Sequence, residues 1–531
     1  MDPCHPGAPA LIPLVALLGC PDNPSQPTPD AGLDAGSAWD GTATPLEELG
    51  DLVDPGRLSA CRIINDGGTS EHCGDPSYVD LSACNRDTLA QVPRGGHYNL
   101  VLRSEAAGTL FGGNVLFSAD GGTGLANGRP ITTLLQDGRT LHFSAQTTQS
   151  DGGTQSYNLA ACESPGGTDF TGCYFTCTNG RVNGKGSTFR ATRLTWREGE
   201  SESSGLRLVS ESHVALGRPA DVHVTRGYAY VVSMDYKGRT GGLTVFDVSD
   251  KSAPVLKKVV TLPSDSYWNS AWTQDNTLYV ASDERGVLVF DISQPADPWL
   301  LKDVPGRSIN VHTVFVDGNR LYAATTSDSG VLIFDISTPQ SPTLLNQYLA
   351  PNTVGFPAPH DMFARDGQLY VAHGSVGLVV ADASNPSDVR TLGTYSFPNQ
   401  YSHATVVGTF AGRTIAFEGG ENIDAHLRVL DITDPARMVK IGEFRLRDAI
   451  SIHNMVLVGQ RLYIAWYQEG LRVLDVSNPT KPTQVAYFNT YRETDPGRDD
   501  FLDGAIGLRV PGDGYVYVVD MARGLLILRE E

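Results

Sequence analysis

Three observations predict an all-β chain that ends in a seven-bladed β-propeller. First, a short apolar run closing on Asp recurs: Gly242–Asp247, Gly286–Asp291, Gly330–Asp335, Gly377–Asp382, Leu427–Asp431 and Gly470–Asp475. A seventh run, Gly524–Arg529, ends in Arg. Second, the Asp-to-Asp steps are 44, 44, 47, 49 and 44 residues, with 54 to Arg529. Third, each period holds several short β-branched and aromatic runs separated by Gly, Asn, Asp and Pro. Periods of this length with four strands per unit mean propeller blades rather than helical repeats.

The third unit shows the plan. His312–Val316 is a first strand, Leu321–Thr325 a second, Val331–Asp335 a third and Thr343–Leu349 a fourth, forming an antiparallel meander. Strand two carries a recurring tyrosine, at 230, 279, 322, 370, 463 and 517, with Ile415 in unit five. A buried phenol needs a partner, so a repeated inter-strand hydrogen bond is expected. The closing Asp247, Asp291, Asp335, Asp382, Asp431 and Asp475 precede Ser or Thr by two residues, and Pro often follows. That pattern caps a turn, and one carboxylate per blade is too few for a calcium cage. The seventh unit stops after its third strand. Leu206–Leu216 reads as the missing fourth, pairing with 524–528 and removing two open sheet edges.

The motif Gly-Leu-x-Val-x-Asp-Val/Ile-Ser-x-Pro resembles the bacterial and archaeal LVIVD-repeat proteins, across all seven units. Lys251 for Pro in unit one, the absence of Gly before Leu427 and Arg529 for Asp are departures. The resemblance implies a propeller in a cell-surface or exported protein and no defined reaction.

Ahead of the propeller (204–531) the chain divides into three. Residues 1–20 hold an apolar stretch, Ala10–Leu18, and end in Leu17-Leu-Gly-Cys20, which resembles a bacterial lipobox. That implies a lipoprotein signal with Cys20 as the lipidated residue, although Met1–Ala8 has Asp2 and no Lys or Arg. The apolar run is too short to span a bilayer. Residues 21–55 are rich in Pro, Asp, Gly, Ala, Ser and Thr and read as a disordered tether. Residues 56–203 hold Cys61, Cys73, Cys84, Cys162, Cys173 and Cys177, six of the eight cysteines. In an exported protein these imply three disulfides, with fifteen pairings open. Alternating stretches such as Tyr98–Arg103 and Thr188–Leu194 make this a small β-rich domain, sandwich or barrel.

With 60 acidic against 40 basic residues the net charge is −20. No Lys/Arg run marks a nucleic-acid surface, so the expected membrane link is the N-terminal lipid alone, on an exported protein of the cell envelope. No nucleophile elbow, HExxH, P-loop or Rossmann motif is present. The leading function is binding or scaffolding, with an unidentified protein or envelope ligand at the propeller mouth. Aligned on strand two, His312, His360, His403 and His453 fall in register at the entry to the first strand, with Asn269, Ala220 and Ala505 in the other units. Side chains of a first strand usually point into the neighbouring blade, so the expected role is an inter-blade lock. The alternative is that they face the channel and hold a divalent metal, in a metal-binding protein or metal-dependent enzyme, with Asp361 and Asn454 as supporting partners. Acidic residues of the loops between strands two and three, among them Asp235, Asp283, Asp328, Glu418, Glu421, Glu469 and Asp520, and those of Thr490–Asp503 make the mouth acidic.

Overall fold

The structure is a computed structural model that describes residues 39–64, 73–93, 95–118, 124–150, 152–326, 330–351 and 358–531. The lipobox, Cys20 and Asp328 lie outside the described residues.

Seven antiparallel sheets form the propeller, six of four strands and blade six of five, where Ser203–Ser204 joins its outer edge. Six follow the chain in order. The innermost strands of blades one to seven are Arg218–Thr225, Trp268–Gln274, Thr313–Asp317, Pro359–Arg365, Ser402–Phe410, Met455–Val458 and Ala505–Arg509. The repeated apolar runs are the third strands, and nearly all of their residues are buried. Blade seven takes its outer strand from Leu206–Ser212, which pairs with Gly524–Glu530. Each closing carboxylate, Asp247, Asp291, Asp335, Asp382, Asp431 and Asp475, accepts the backbone N–H two residues ahead at 2.7–3.1 Å.

The strand-two tyrosines work differently from the expected inter-strand bond. Tyr230 and Tyr279 donate to the Pro295 and Pro339 carbonyls, in the turns of the next blade. Tyr463 likewise reaches Glu530 of blade seven, so these three phenols are seams between blades, whereas Tyr370 and Tyr517 donate to Gln368 and Asp513 of their own blades.

Residues 96–193 close into an eight-stranded barrel. Its last strand, Ser187–Arg193, pairs with both Gly96–Ser104 and Asp169–Thr178. Edge-to-face contacts among Tyr98, Phe117, Phe143, Phe170 and Phe189 fill the interior. The disulfides Cys61–Cys173, Cys73–Cys177 and Cys84–Cys162 pin the segment before the barrel to its outer wall. They enclose loops of 78 to 112 residues. Removing Cys84–Cys162 as a double Ala variant is expected to cost about 2–4 kcal/mol in a denaturant titration; an unchanged midpoint would show that the wall holds without it.

The barrel sits on the loops of blades five to seven. Asn99 Nδ2 donates to the carbonyls of Ala449 (2.9 Å) and Phe501 (3.3 Å), Asn114 Nδ2 to that of Asp499 (3.1 Å). Arg193 pairs with Glu493 at 2.7 Å, and Val101 packs with Ile423 and Ala449. Gly112 lets the surfaces approach: a Cβ there would lie 2.8 Å from the Phe501 ring.

The disordered tether read from composition does not extend to residue 55. Leu46 N–H donates to the Lys440 carbonyl at 2.8 Å. Glu48 and Asp51 bind Arg428 at 3.1 and 2.6 Å. Two carboxylates that meet a buried guanidinium order a segment that lacks the apolar residues to order itself.

Candidate functional site

A β-bulge at the entry of the innermost strands builds the site. Strand pairing skips one position between Pro219 and Asp221, Pro359 and Asp361, Ser402 and Ala404, and Ala505 and Gly507, and two positions against one between Trp268 and Ala271. In blades three and six the count is the same: His312 and Thr313 both face Ala324, while His453 and Asn454 both face Ala465. A bulge re-aims the side chain of the extra residue. It turns His312, His360, His403 and His453 out of the blade-to-blade packing and towards the channel. In blade seven the bulged residue is Ile506, one position beyond the Ala505 expected from alignment; such an offset is invisible without the pairing.

The bulge also frees a carbonyl from the ladder, which must be satisfied elsewhere. Side chains of the preceding blade do this: Asn269 Nδ2 donates to His312 O (3.1 Å), Thr313 Oγ1 to His360 O (2.8 Å) and His453 Nδ1 to Ile506 O (2.6 Å).

The four imidazoles form an arc, with ring centroids 4.1, 4.0 and 4.3 Å apart from His312 through His453. Two of the four meet the expectation of an inter-blade lock: His312, against Asn269 of blade two, and His453. The bond of His453 to a carbonyl requires a proton on Nδ1 and leaves a lone pair on Nε2. His312 Nε2 faces the Asn269 amide at 3.1 Å. His403 is buried, and neither of its ring nitrogens has a hydrogen-bond partner; His360 Nδ1 has none either.

Glu421, on the loop after the second strand of blade five, lies over three of the rings. Its oxygens stand 3.9 Å from Nε2 of His360, 3.7 Å from that of His403 and 3.6 Å from that of His453. The Tyr467 hydroxyl donates to Oε1 of Glu421, leaving Oε2 towards His360 and His403.

Burial keeps all four imidazoles neutral. It takes His312 down to about 4 and His453 to about 3, and holds His360 and His403 well below their ordinary range, with smaller contributions from neighbouring imidazoles. Burial pushes the Glu421 carboxyl up to about 7, against the pull of the Tyr467 hydroxyl. Lone pairs on neutral imidazoles around a carboxylate suit a divalent transition ion. The candidate donors of His360, His403 and Glu421 lie within 4.8 Å of one another. Bonds of about 2.0–2.2 Å put tetrahedral donors about 3.3–3.6 Å apart. These three donors come to that spacing by a contraction of up to about 1.2–1.5 Å.

Other expected site residues play different parts. Asp361 turns back to accept the Met362 N–H at 2.8 Å, capping its own bulge, and burial pushes it up to about 7. The mouth is less acidic than its composition implies, since cations hold many of these loop acids. Glu418 pairs with Arg428, Glu469 with Arg447 and Arg472, and Asp520 and Asp503 with Arg498. Asp499 of the long loop meets Arg218 and Lys237. Glu421 read in sequence as one loop acid among many, and Tyr467 carried no signal; both are brought to the histidines only by the fold.

Five stretches, residues 217–261, 269–304, 310–350, 362–396 and 452–490, match the LVIVD repeat family. These five blades are LVIVD repeats. They are blades one to four and six, so three of the four histidine-bearing blades are LVIVD repeats. Blades five and seven, which depart from the LVIVD pattern at Leu427 and Arg529, are not matched. A comparison with curated proteins finds no match. Similar solved structures include the WD40 β-propeller domain of Doa1 (11% identity, 62% of this chain and 98% of that chain, TM-score 0.47). The computationally designed Ika8 protein (12%, 60% and 99%, TM-score 0.42) and a chain of the Mitotic Checkpoint Complex (12%, 64% and 99%, TM-score 0.45) are also similar.

Proposed function

We propose that this chain is an exported, lipid-anchored binding protein of the cell envelope whose propeller holds a divalent transition-metal ion at its channel mouth. The observation that carries the reading is the convergence of three imidazole Nε2 atoms on the Glu421 carboxylate, at 3.6–3.9 Å, with the nitrogens of His403 unpartnered. This favours the metal over a bare scaffold. His360, His403, His453 and Glu421 are the ligands. The Ile506 carbonyl and Tyr467 orient two of them, as outer partners do at metal sites. His312 is not a ligand, since its Nε2 faces Asn269.

Three disulfides suggest an oxidising compartment, extracellular or periplasmic. Export through the lipobox of residues 1–20 fits that setting. Replacing Cys20 by Ala is expected to move the protein from the membrane fraction to the soluble one; continued membrane retention would contradict the anchor.

The test of the site is metal content. Protein exported in metal-replete medium is expected to hold close to one zinc, iron or copper per chain. His403→Ala and Glu421→Ala should lose it, while His312→Ala keeps it. Metal retained in His403→Ala, or absent from the wild type under these conditions, would overturn the reading.

A further inference from the structure

We infer that the outer wall of the eight-stranded barrel carries a second binding site, for a neutral, hydroxyl-rich small molecule of one or two sugar rings. It uses no residue of the histidine arc.

Strand alternation builds the wall. In Leu141–Thr148 the side chains of Leu141, Phe143 and Ala145 belong to the barrel core, so His142, Ser144 and Gln146 face outwards. Register carries this face across three strands: Thr133 and Asn158 flank Ser144, while Leu135 and Ala160 flank His142. The segment from Cys73 to Cys84 lies against it, stapled by Cys73–Cys177 and Cys84–Cys162. Gly74 lets that segment approach, since a Cβ there would lie 2.6 Å from Asn158 Oδ1. Between segment and wall runs a cleft of about 670 Å³, within the roughly 300–1,000 Å³ of small-molecule sites. A smaller cavity of about 520 Å³ shares Pro76 and His142 with it. Two disulfides hold the cleft in shape before any ligand arrives, which lowers the ordering cost of binding.

His142 points to a ligand. It lines both cavities and is only 2% exposed, yet neither ring nitrogen has a hydrogen-bond partner. A buried polar group left without a partner is costly. Burial holds the ring neutral, down to about 4, so one nitrogen donates and the other accepts. A hydroxyl does both and can meet either. The neighbouring serines offer the same mixture. Ser144 Oγ donates to Asn158 Oδ1 at 2.7 Å, which leaves its lone pairs to accept. Ser156 Oγ accepts from Asn158 Nδ2 at 3.0 Å, which leaves its O–H to donate. Among the described residues no Lys or Arg lines the larger cleft, and the Asp75 carboxylate that does line it accepts the Ser77 N–H at 2.8 Å. Arg86, in the smaller cavity, is engaged with the Arg139 carbonyl at 2.8 Å and Thr140 Oγ1 at 3.0 Å. An anion therefore finds no free counter-charge, and an apolar molecule would leave the hydroxyls and the imidazole unpaired. A saccharide, with a donor and an acceptor on every hydroxyl, pairs with both kinds of group.

The test applies the full chain to an array of immobilised neutral saccharides and their uronic-acid counterparts, then titrates the strongest neutral glycan in solution. Saturable binding is expected, at least tenfold tighter than that of the corresponding uronic acid. His142→Leu, close in volume but without ring nitrogens, should weaken it tenfold or more. Thr133→Trp fills the cleft from an exposed position of the wall; it should melt as the wild type does and lose binding by tenfold or more. If His142→Leu does not fold, Thr133→Trp carries the test alone. No saturable binding of any neutral saccharide by the wild type overturns the site. Tighter binding of the uronic acids overturns the ligand class. A neutral glycan bound equally well by folded Thr133→Trp overturns the placement.

Discussion

Replacing Arg428 by Met is expected to lower the unfolding free energy by about 3–5 kcal/mol, the largest single effect in the propeller. Arg428 sits on the third strand of blade five with its side chain fully buried. It donates to Asp51 at 2.6 Å, Glu48 at 3.1 Å and Glu418 at 3.4 Å, and lies 3.8 Å over the Phe397 ring. Methionine preserves much of the volume but leaves Asp51 and Glu418 as buried carboxylates without their cation, the costly half of breaking a buried pair. Some relief is available. Burial already pushes Glu418 up to about 7, and His426 stays 3.0 Å from Asp51. The loss is therefore expected towards the lower end of the range. Because Glu48 and Asp51 belong to residues 39–55, the same variant should expose that stretch to limited proteolysis. An Arg428→Met protein with unchanged stability and unchanged cleavage would show that the ion cluster is incidental.

Acid should unfold the protein well before ordinary carboxylate titration. Eight buried imidazoles, His97, His142, His223, His312, His360, His373, His403 and His453, are held below their ordinary range by desolvation. The folded state keeps them neutral, whereas the unfolded chain takes up protons below about 6.5. Their contribution is fully present above that pH and is lost as pH falls towards 4, by about 3 kcal/mol for a group moved to about 4. Ten carboxyls act in the opposite sense: Asp361, Glu418 and Glu421, pushed up to about 7, Asp503, to about 6, and Asp169, Asp221, Asp265, Asp283, Asp317 and Asp424, which burial also raises. They bind protons in the folded state as pH falls from 7 and so add stability there. Only the first four of these shifts are large, against eight imidazoles, and Asp51 and Glu469, held below their ordinary range by His426 and arginines, add to the acid loss. Melting temperatures recorded from pH 7.5 to 4 should fall steeply below pH 6. A flat profile down to pH 4 would contradict the neutral, buried state of the histidine arc.

The propeller is legible in sequence because one turn repeats: the closing Asp, the Ser or Thr two residues on and the fixed period encode a strand end every blade. The eight-stranded closure of the cysteine domain is not, since alternating stretches serve a sandwich as well as a barrel, and six cysteines alone leave fifteen pairings. The histidine register is visible at 312, 360, 403 and 453. Its meaning is not, because the bulge that aims these rings has no residue signature; the same backbone position holds Ala220, Asn269 and Ile506 in other blades. Glu421 could not be singled out among the loop acids, since its neighbours Glu418 and Glu469 are consumed by arginines that only the fold brings near. The ordering of residues 39–55 escaped composition for the same reason: Arg428 is nearly 400 residues away in the chain.

The central claim is tested most directly by crystals grown with Co(II) or Zn(II), examined by anomalous scattering at the metal edge. The account predicts one strong peak at the propeller mouth, within about 2.0–2.3 Å of Nε2 of His360, His403 and His453 and of a Glu421 oxygen. It predicts no metal bonded to His312. An empty mouth with the imidazoles still unpartnered, or a peak on surface carboxylates alone, would contradict it and return the propeller to a binding scaffold without a metal.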